Sequence, residues 1–305
     1  MAQAPEGGET QGMAWSDQET AISPQPLITV ITPCLNSVDT IVENVLSVLE
    51  ARVTLTRSGW ELEHLIIDGG SVDGTAELVS SHAAKHSFCR WVSNISGGPY
   101  AAMNAGLQQA SGRYTHVLNS DDLLLDPRAY AGFLQEGEGK EARVMIASIG
   151  YFQRPSRHLK SLWLVRPIPA DKSKWRQQLL RGLHYPHPGF IAETELYKAV
   201  AFDEQYGLSA DYKLMQSILL GPAIPQTTMI CSQPLVAMAE GGATGNWKAI
   251  LKGYRQLAAI NKELGIQASG AKRYWGKVRQ RLRPLPQKIT IRKAGDSAPD
   301  LAEDS

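Results

Sequence analysis

Apolar positions along the first 125 residues follow two alternating periods. Short β-branched runs, LITVIT (27–32), LEHLII (62–67), RWVSNI (90–95) and RYTHVL (113–118), have the composition of strands buried inside a sheet. Pro33 ends the first. Between the runs the period lengthens to that of a helix. Thr40 and Glu43 have capping-box spacing, and Ile41, Val42, Val45, Leu46, Leu49 and Val53 follow on one helical face. A second helix is predicted over 73–85. A third opens at Gly97-Gly98-Pro99, with proline in a favoured first-turn position, and runs to about Ala110. Strands alternating with helices predict an α/β fold with a mainly parallel central sheet and right-handed crossovers.

The second half is less regular. RVMIASIGYF (143–152) has strand character, and SLWLV (161–165) is placed to pair with its end. HPGFIA (187–192) predicts a short strand before a helix over 194–200. A further helix over 211–220 turns Leu214, Met215, Ile218 and Leu219 to one side. Residues 246–264 predict an amphipathic C-terminal helix through Trp247, Ile250, Leu251, Tyr254 and Leu257. No internal repeat is visible.

Charge changes the picture mainly at the ends. Residues 1–26 hold Glu6, Glu9, Asp17 and Glu19 without a Lys or Arg and show no apolar period, so a disordered acidic tail is expected there. That segment has neither the basic nor the apolar region of a signal peptide. Residues 271–293 carry nine Lys or Arg and no acid. Within them KRYWGKVRQRLR (272–283) interleaves Tyr274, Trp275, Val278 and Leu282 with basic residues. That pattern suits either an interfacial helix on anionic lipid or a solvated tail. The division expected is therefore 1–26, a folded domain over 27–265, and a basic helix and disordered tail over 266–305. A net charge of +1 gives no basis for nucleic-acid binding. No run approaches the ~18 apolar residues of a membrane span. Cys34, Cys89 and Cys231 are far apart and form no CxxC pair, which fits a reduced, cytoplasmic location and argues against a disulfide framework or zinc site.

Candidate chemistry gathers just after the strands, where open parallel sheets bind ligands. The clusters are Thr32-Pro33-Cys34-Leu35-Asn36, Asp68-Gly69-Gly70-Ser71 and Asn119-Ser120-Asp121-Asp122. Adjacent aspartates are costly to bury without a partner. A divalent cation supplies one, because Mg²⁺ and Mn²⁺ take oxygen ligands, commonly one or two carboxylates plus substrate phosphates. Each cluster alone would equally serve as a turn or cap. There is no P-loop and no properly placed GxGxxG, so phosphate binding would rest on metal and loops.

Five segments in order, ITVITPCLNSVDTI (28–41), LIIDGGSVDGT (65–75), GPYAAMNAGLQQASGRYTHVLNSDD (98–122), HPGFIAETELY (187–197) and GLSADYKLM (207–215), resemble those of family 2 glycosyltransferases. The resemblance spans roughly 27–265 and implies a GT-A, Rossmann-like fold. Within the family it is similar to the polysaccharide-biosynthesis subgroup of the colanic-acid transferase WcaE, which EGGATGN (240–246) also matches. It implies an inverting transferase of hexosyltransferase type. The donor would be a nucleotide-diphosphate sugar and the acceptor a saccharide or lipid-linked saccharide, with Mg²⁺ or Mn²⁺ as cofactor. The resemblance assigns Thr32, Pro33, Asn36, Asp68, Asn104, Asn119 and Asp121 to the nucleotide-sugar site and Asp121 and Asp122 to the metal. Asp211 corresponds to the catalytic base, and His187 to an acceptor-side histidine. It also makes peripheral contact with the inner face of an anionic membrane useful.

The chain departs from the family pattern in three places. Ile95-Ser96-Gly97-Gly98-Pro99-Tyr100-Ala101 stands where members commonly have Pro-Asp-Lys-Gly-Ile-Tyr-Asp, so two acids and a lysine are gone and donor-sugar selection is affected. Asn119 replaces the first acid of the metal motif, and Pro188 replaces a glutamine. The altered 96–101 run favours a non-catalytic nucleotide-sugar-binding or scaffold protein; Asp68, Asp121, Asp122 and Asp211 favour an enzyme. A nucleotidyltransferase would need a Gly-rich basic loop that TPCLNS lacks. His184 is expected to be structural or to touch the acceptor. Trp163, Trp175 and Trp247 are of the type that stacks on sugars, although burial energy favours core packing for each.

Overall fold

The computed structural model describes residues 26–154, 156–240 and 247–268. The expected alternation is present through β1 (Ile28–Cys34), α1 (Ile41–Thr56), β2 (Leu62–Asp68), α2 (Thr75–Lys85), β3 (Cys89–Val92), α3 (Pro99–Gln109) and β4 (Tyr114–Val117). After these come β5 (Leu123–Leu124), α4 (Pro127–Gly139), β6 (Val144–Gln153), β7 (His158–Trp163), α5 (Lys172–Leu180), β8 (Phe190–Glu193), α6 (Thr194–Val200), α7 (Ala210–Leu219), β9 (Thr228–Ala239) and α8 (Trp247–Glu263).

The described strands form one sheet in the order β3-β2-β1-β4-β8-β6-β9-β5, with β7 paired to β6. It is parallel from β3 to β4, as expected. Beyond β4 it is mixed. β8 runs antiparallel to both β4 and β6, whereas β6 and β9 are parallel. β1 and β2 are buried at every position, which explains their continuous apolar runs. The chain moves outward from β1 to β3 and then returns to place β4 on the other side of β1. That reversal opens a crevice at the carboxyl ends of β1 and β4.

Helices cover both faces. α1 buries Ile41, Val45, Val48, Ala51 and Leu55. α3 lies close against β1, because a Cβ on Gly106 would sit 2.6 Å from Ile31 Cγ2. Thr40 precedes α1, but its side chain makes no cap and bonds the Ser37 carbonyl instead. Glu43 pairs with Arg154 and Arg157. The capping box is therefore not formed; the β6–β7 turn supplies stronger, charged partners for Glu43. The first strand likewise continues through Pro33 to Cys34, Pro33 pairing opposite Ile67.

The C-terminal helix turns Leu257 inward as expected, but not Tyr254; the side chains of 247–251 lie outside the description. Ile260 is buried and Leu257 partly buried, while Tyr254 is 48% exposed. α8 is fastened to α7 by Tyr212 O–H donating to Asn261 (2.8 Å) and by Lys213 pairing with Asp203 and Glu263. Trp163 and Trp175 are core residues, as their burial energy favours. Cys34, Cys89 and Cys231 are free thiols. The segments 1–25 and 269–305, and with them the expected acidic tail and basic helix, lie outside the described residues, as do 241–246 of the EGGATGN stretch.

Candidate active site

The register of the parallel strands brings the polar clusters to one edge. Cys34 pairs with Asp68, and the Leu118 N–H donates to the Ile31 carbonyl, so 119–122 emerges beside the loop after β1. That loop turns at Asn36, which has φ +49°, a left-handed conformation that asparagine tolerates well. The Asn36 carboxamide accepts from Val72 N–H (3.0 Å), and its own N–H donates to Ser71 Oγ (2.8 Å). Asp68 is 1% exposed and accepts from the Ser71 hydroxyl and N–H. The rim of this loop pair carries two apolar side chains in water, Leu35 and Val72.

Asp122 is buried behind the same edge. Ala239 N–H of β9 donates to its Oδ1 (3.0 Å) and the Asn119 carboxamide to its Oδ2 (3.2 Å). Burial, reinforced by the Asp121 charge, pushes its carboxyl up to about 8. Arg154 donates to the Asp121 carbonyl (2.7 Å), so a cation already stands near the pair. Beneath the turn sits Asn44 of α1, fully buried. Its two amide hydrogens go to the carbonyls of Asn119 (2.9 Å) and Asp122 (3.0 Å), and its oxygen accepts from Thr32 Oγ1 (3.3 Å). Thr32 in turn bonds His64 Nε2 (3.0 Å). Burial lowers the His64 imidazole to about 3, so it is neutral.

The second part of the site is the corner of α3 and α7. Asp211, in the first turn of α7, accepts a hydrogen bond from the Tyr100 hydroxyl (3.1 Å). Tyr100 stacks on Phe202 at 5.6 Å between centroids, and Phe202 meets the His187 ring edge-on. Burial lowers the His187 imidazole below its ordinary value, against the pull of nearby Asp211, and Nε2 has no hydrogen-bond partner among the described residues. The His187–Gly189 turn is tied to β4 by His116. Pro188 offers only a carbonyl oxygen, so His116 Nε2 must donate to it (2.9 Å) and Nδ1 accepts from Tyr130 O–H. The turn also presses against β6, since a Cβ on Gly189 would lie 2.2 Å from the Ala147 oxygen.

Residues 29–201 match the family model described as glycosyl transferase family 2. This chain belongs to that family. It is similar to an uncharacterised glycosyltransferase, Rv1514c, of Mycobacterium tuberculosis, at 29% identity over 68% of this chain and 74% of that protein. The succinoglycan biosynthesis protein ExoO of Rhizobium meliloti is 26% identical over 65% of this chain and 57% of its own length. Among solved structures, S. aureus TarS in complex with UDP-GlcNAc aligns with a TM-score of 0.57 at 18% identity, over 80% of this chain and 68% of that one. Glucosyl-3-phosphoglycerate synthase of Mycobacterium tuberculosis, bound to Mn²⁺, UDP-glucose and phosphoglyceric acid, aligns at 0.51 and 16% identity, over 83% and 86%. These likenesses establish the GT-A fold.

Against this family frame the predicted residues separate into three groups. Asn36, Asp68, Asn119, Asp121 and Asp122 share the strand-end edge. Asp211 and His187 share the α3–α7 corner. Thr32, Pro33 and Asn104 belong to neither. Thr32 and Pro33 are buried within β1, and the Asn104 carboxamide is occupied by Phe202 N–H, the Phe202 carbonyl and Glu204. Two contributors escaped the sequence, Asn44 and Tyr100. A buried-face asparagine among Ile41, Val45 and Val48 was the available signal for the first; the second lay unremarked inside the departure from the family run. For a divalent cation, Asp121 is the accessible carboxylate and Asp122 stands behind it with both oxygens hydrogen-bonded. No three His, Cys, Asp or Glu side chains converge among the described residues. The donor set fits Mg²⁺ or Mn²⁺ whose shell is completed by diphosphate and water, not a closed protein cage.

Proposed function

We propose that this family 2 glycosyltransferase is an inverting enzyme using a nucleotide-diphosphate sugar. The acceptor hydroxyl would belong to a saccharide or lipid-linked saccharide in polysaccharide biosynthesis, and the WcaE-like subgroup is part of this proposal. The observation that carries it is Asp211, oriented by Tyr100 beside a buried His187 whose Nε2 has no partner among the described residues. TarS with UDP-GlcNAc, the synthase with Mn²⁺ and UDP-glucose, and the succinoglycan protein ExoO support the donor, cofactor and pathway class.

In this scheme the nucleotide lies along the edge formed by Asn36, Asp68 and Ser71, with Leu35 and Val72 shielding its apolar faces. Asp121 would hold the cation, at the same turn as Asn119 and Asp122. Bound there, Mg²⁺ or Mn²⁺ supplies Lewis-acid stabilisation of the departing diphosphate. Asp211 takes the proton of the acceptor hydroxyl as that oxygen bonds to the anomeric carbon and the carbon–phosphate-oxygen bond breaks. One base and one displacement invert the centre, so the paired carboxylates of a glycosidase are not required. His187 Nε2 is available to hold the acceptor.

The test is a screen of nucleotide sugars for turnover with Mn²⁺ and with EDTA, followed by the anomeric configuration of the product by NMR. Transfer with inversion, lost in EDTA, is expected. Retention would exclude the single-base displacement. Nucleotide binding without turnover of any donor would support the scaffold alternative, which the altered 96–101 run favours.

A further inference from the structure

The segment from Arg154 to Tyr185, which builds β7 and α5, contains eight Lys or Arg and one acid, Asp171, in a chain whose net charge is only +1. Arg154 and Arg157 are consumed by Glu43. Arg176 donates to the Leu220 carbonyl (2.5 Å) and Lys174 pairs with Asp171 (3.6 Å), which leaves Lys160, Arg166, Lys172 and Arg181. A cavity of about 280 Å³ opens here, lined by Arg166, Gln178, Arg181, Leu183 and Tyr185 among others. Both arginines are exposed, and neither guanidinium has an ion-pair or hydrogen-bond partner among the described residues. Two guanidiniums lining one small cavity supply the charge and N–H donors that phosphate oxygens accept. Leu164, just after β7, is an apolar side chain 47% exposed on the same segment.

Two further features give this face a direction. Tyr185, which closes the cavity floor by accepting the Trp175 indole N–H (2.7 Å), lies two residues before His187. The chain after α8 also returns to this place: Gln267 N–H donates to the Leu180 carbonyl (2.6 Å), and Ala268 touches Gly182. The nine basic residues of 271–293 come next in the sequence.

We propose that the β7–α5 face is a docking surface for an anionic membrane, with a lipid phosphate taken between Arg166 and Arg181. The proposal gives the lipid-linked acceptor of the preceding section a location, but its own observations are charge, cavity and chain path. Docking is measured without turnover, so failure of the transferase scheme and failure of the docking surface are separable.

The experiment is co-sedimentation of the full chain with phosphatidylglycerol-containing and with pure phosphatidylcholine vesicles over a salt series. Binding to the anionic vesicles alone, weakening with salt, is expected. R166E/R181E should reduce that binding by about tenfold or more, from the surface attraction of each basic side chain. A full-length variant with the basic residues of 272–283 reversed should retain residual binding that R166E/R181E then removes. Unchanged binding in R166E/R181E would overturn the proposal and leave attachment to the C-terminal segment alone. Binding of inorganic pyrophosphate that R166E/R181E abolishes, without vesicle binding, would overturn it in favour of a soluble phosphate ligand. If R166E/R181E unfolds at a lower temperature, R166Q/R181Q repeats the comparison with charge removed and polar stems kept.

Discussion

At the ends of β1, β2 and β4 nearly every polar group already has a protein partner, whereas the α3–α7 corner leaves its reactive groups open. Asn36, Asp68, Ser71, Asn119 and Asp122 are held by one another and by backbone N–H groups, and Asn44 locks the turn from below. At the corner one hydroxyl holds Asp211, aromatic rings support it, and His187 Nε2 is unpartnered among the described residues. A buried polar group without a partner is rare enough to require a reason. A rigid net suits a ligand of fixed shape such as a nucleotide diphosphate, since preorganised dipoles need no rearrangement when charge develops. An open corner suits an incoming group that supplies the missing hydrogen bonds itself.

The sharpest way to break this contrast is at Asp211. Asp211→Asn keeps the size and the helix-start preference but cannot take a proton. Transfer should fall by roughly 10²–10⁴-fold while nucleotide affinity and melting temperature stay put. An Asn variant turning over near the parent rate would show that the corner caps a helix and nothing more.

Next in size is Asn44→Ala, which acts on the closed side. It strips the Asp122 carbonyl of its donor, leaves the Asn119 carbonyl with only the Asp122 N–H, and takes from Thr32 one of its two partners. Stability should drop by about 1–3 kcal/mol per orphaned group, read by denaturant unfolding, with nucleotide binding weakened alongside. Loss of nucleotide affinity without loss of stability would place Asn44 in direct ligand contact instead.

Tyr100→Phe should be milder. It preserves the stack on Phe202 and removes one hydroxyl, so turnover should decline by about tenfold with unchanged folding, a single hydrogen bond to a charged group being worth about 1.5–3 kcal/mol at most. A loss as large as that of Asp211→Asn would promote Tyr100 from orienting group to proton carrier.

The smallest effect is one of pH. Asp122 holds its proton more tightly in the fold than in the unfolded chain, because burial and Asp121 raise it to about 8. Its contribution to stability is therefore full on the acid side and is lost as pH rises through about 8. Metal-free protein should melt lower at about pH 9 than at about pH 6, and Asp122→Asn or added Mn²⁺ should flatten the slope. A slope unaltered by either would mean that other groups control it.

Parts of this architecture were legible in the chain for a simple reason. Buried parallel strands are continuous apolar runs, and a sheet that reverses direction puts whatever follows those runs at one edge. The strand-end acids could therefore be named without coordinates. β9 could not, because Pro234 interrupts its run and its register against β6 slips between Ala147 and Ile149. Yet β9 delivers the Ala239 N–H that holds Asp122. α4 was overlooked although Asp126-Pro127 is a good helix start, with Asp126 accepting from Ala129 N–H.

By itself, the sequence determined the α/β alternation and the strand-end clusters, since each follows from local period or a contiguous motif; Asp211 came forward only through the resemblance to the family. Only the tertiary structure decided which of those residues are spent and which are free. Thr32 and Asn104 were absorbed into packing, Asn44 became the support of the 119–122 turn, and Tyr100 met Asp211 across 111 positions. The reason is physical: a side chain's chemistry depends on whether its hydrogen bonds are already satisfied, and those partners come from elements far apart in the chain.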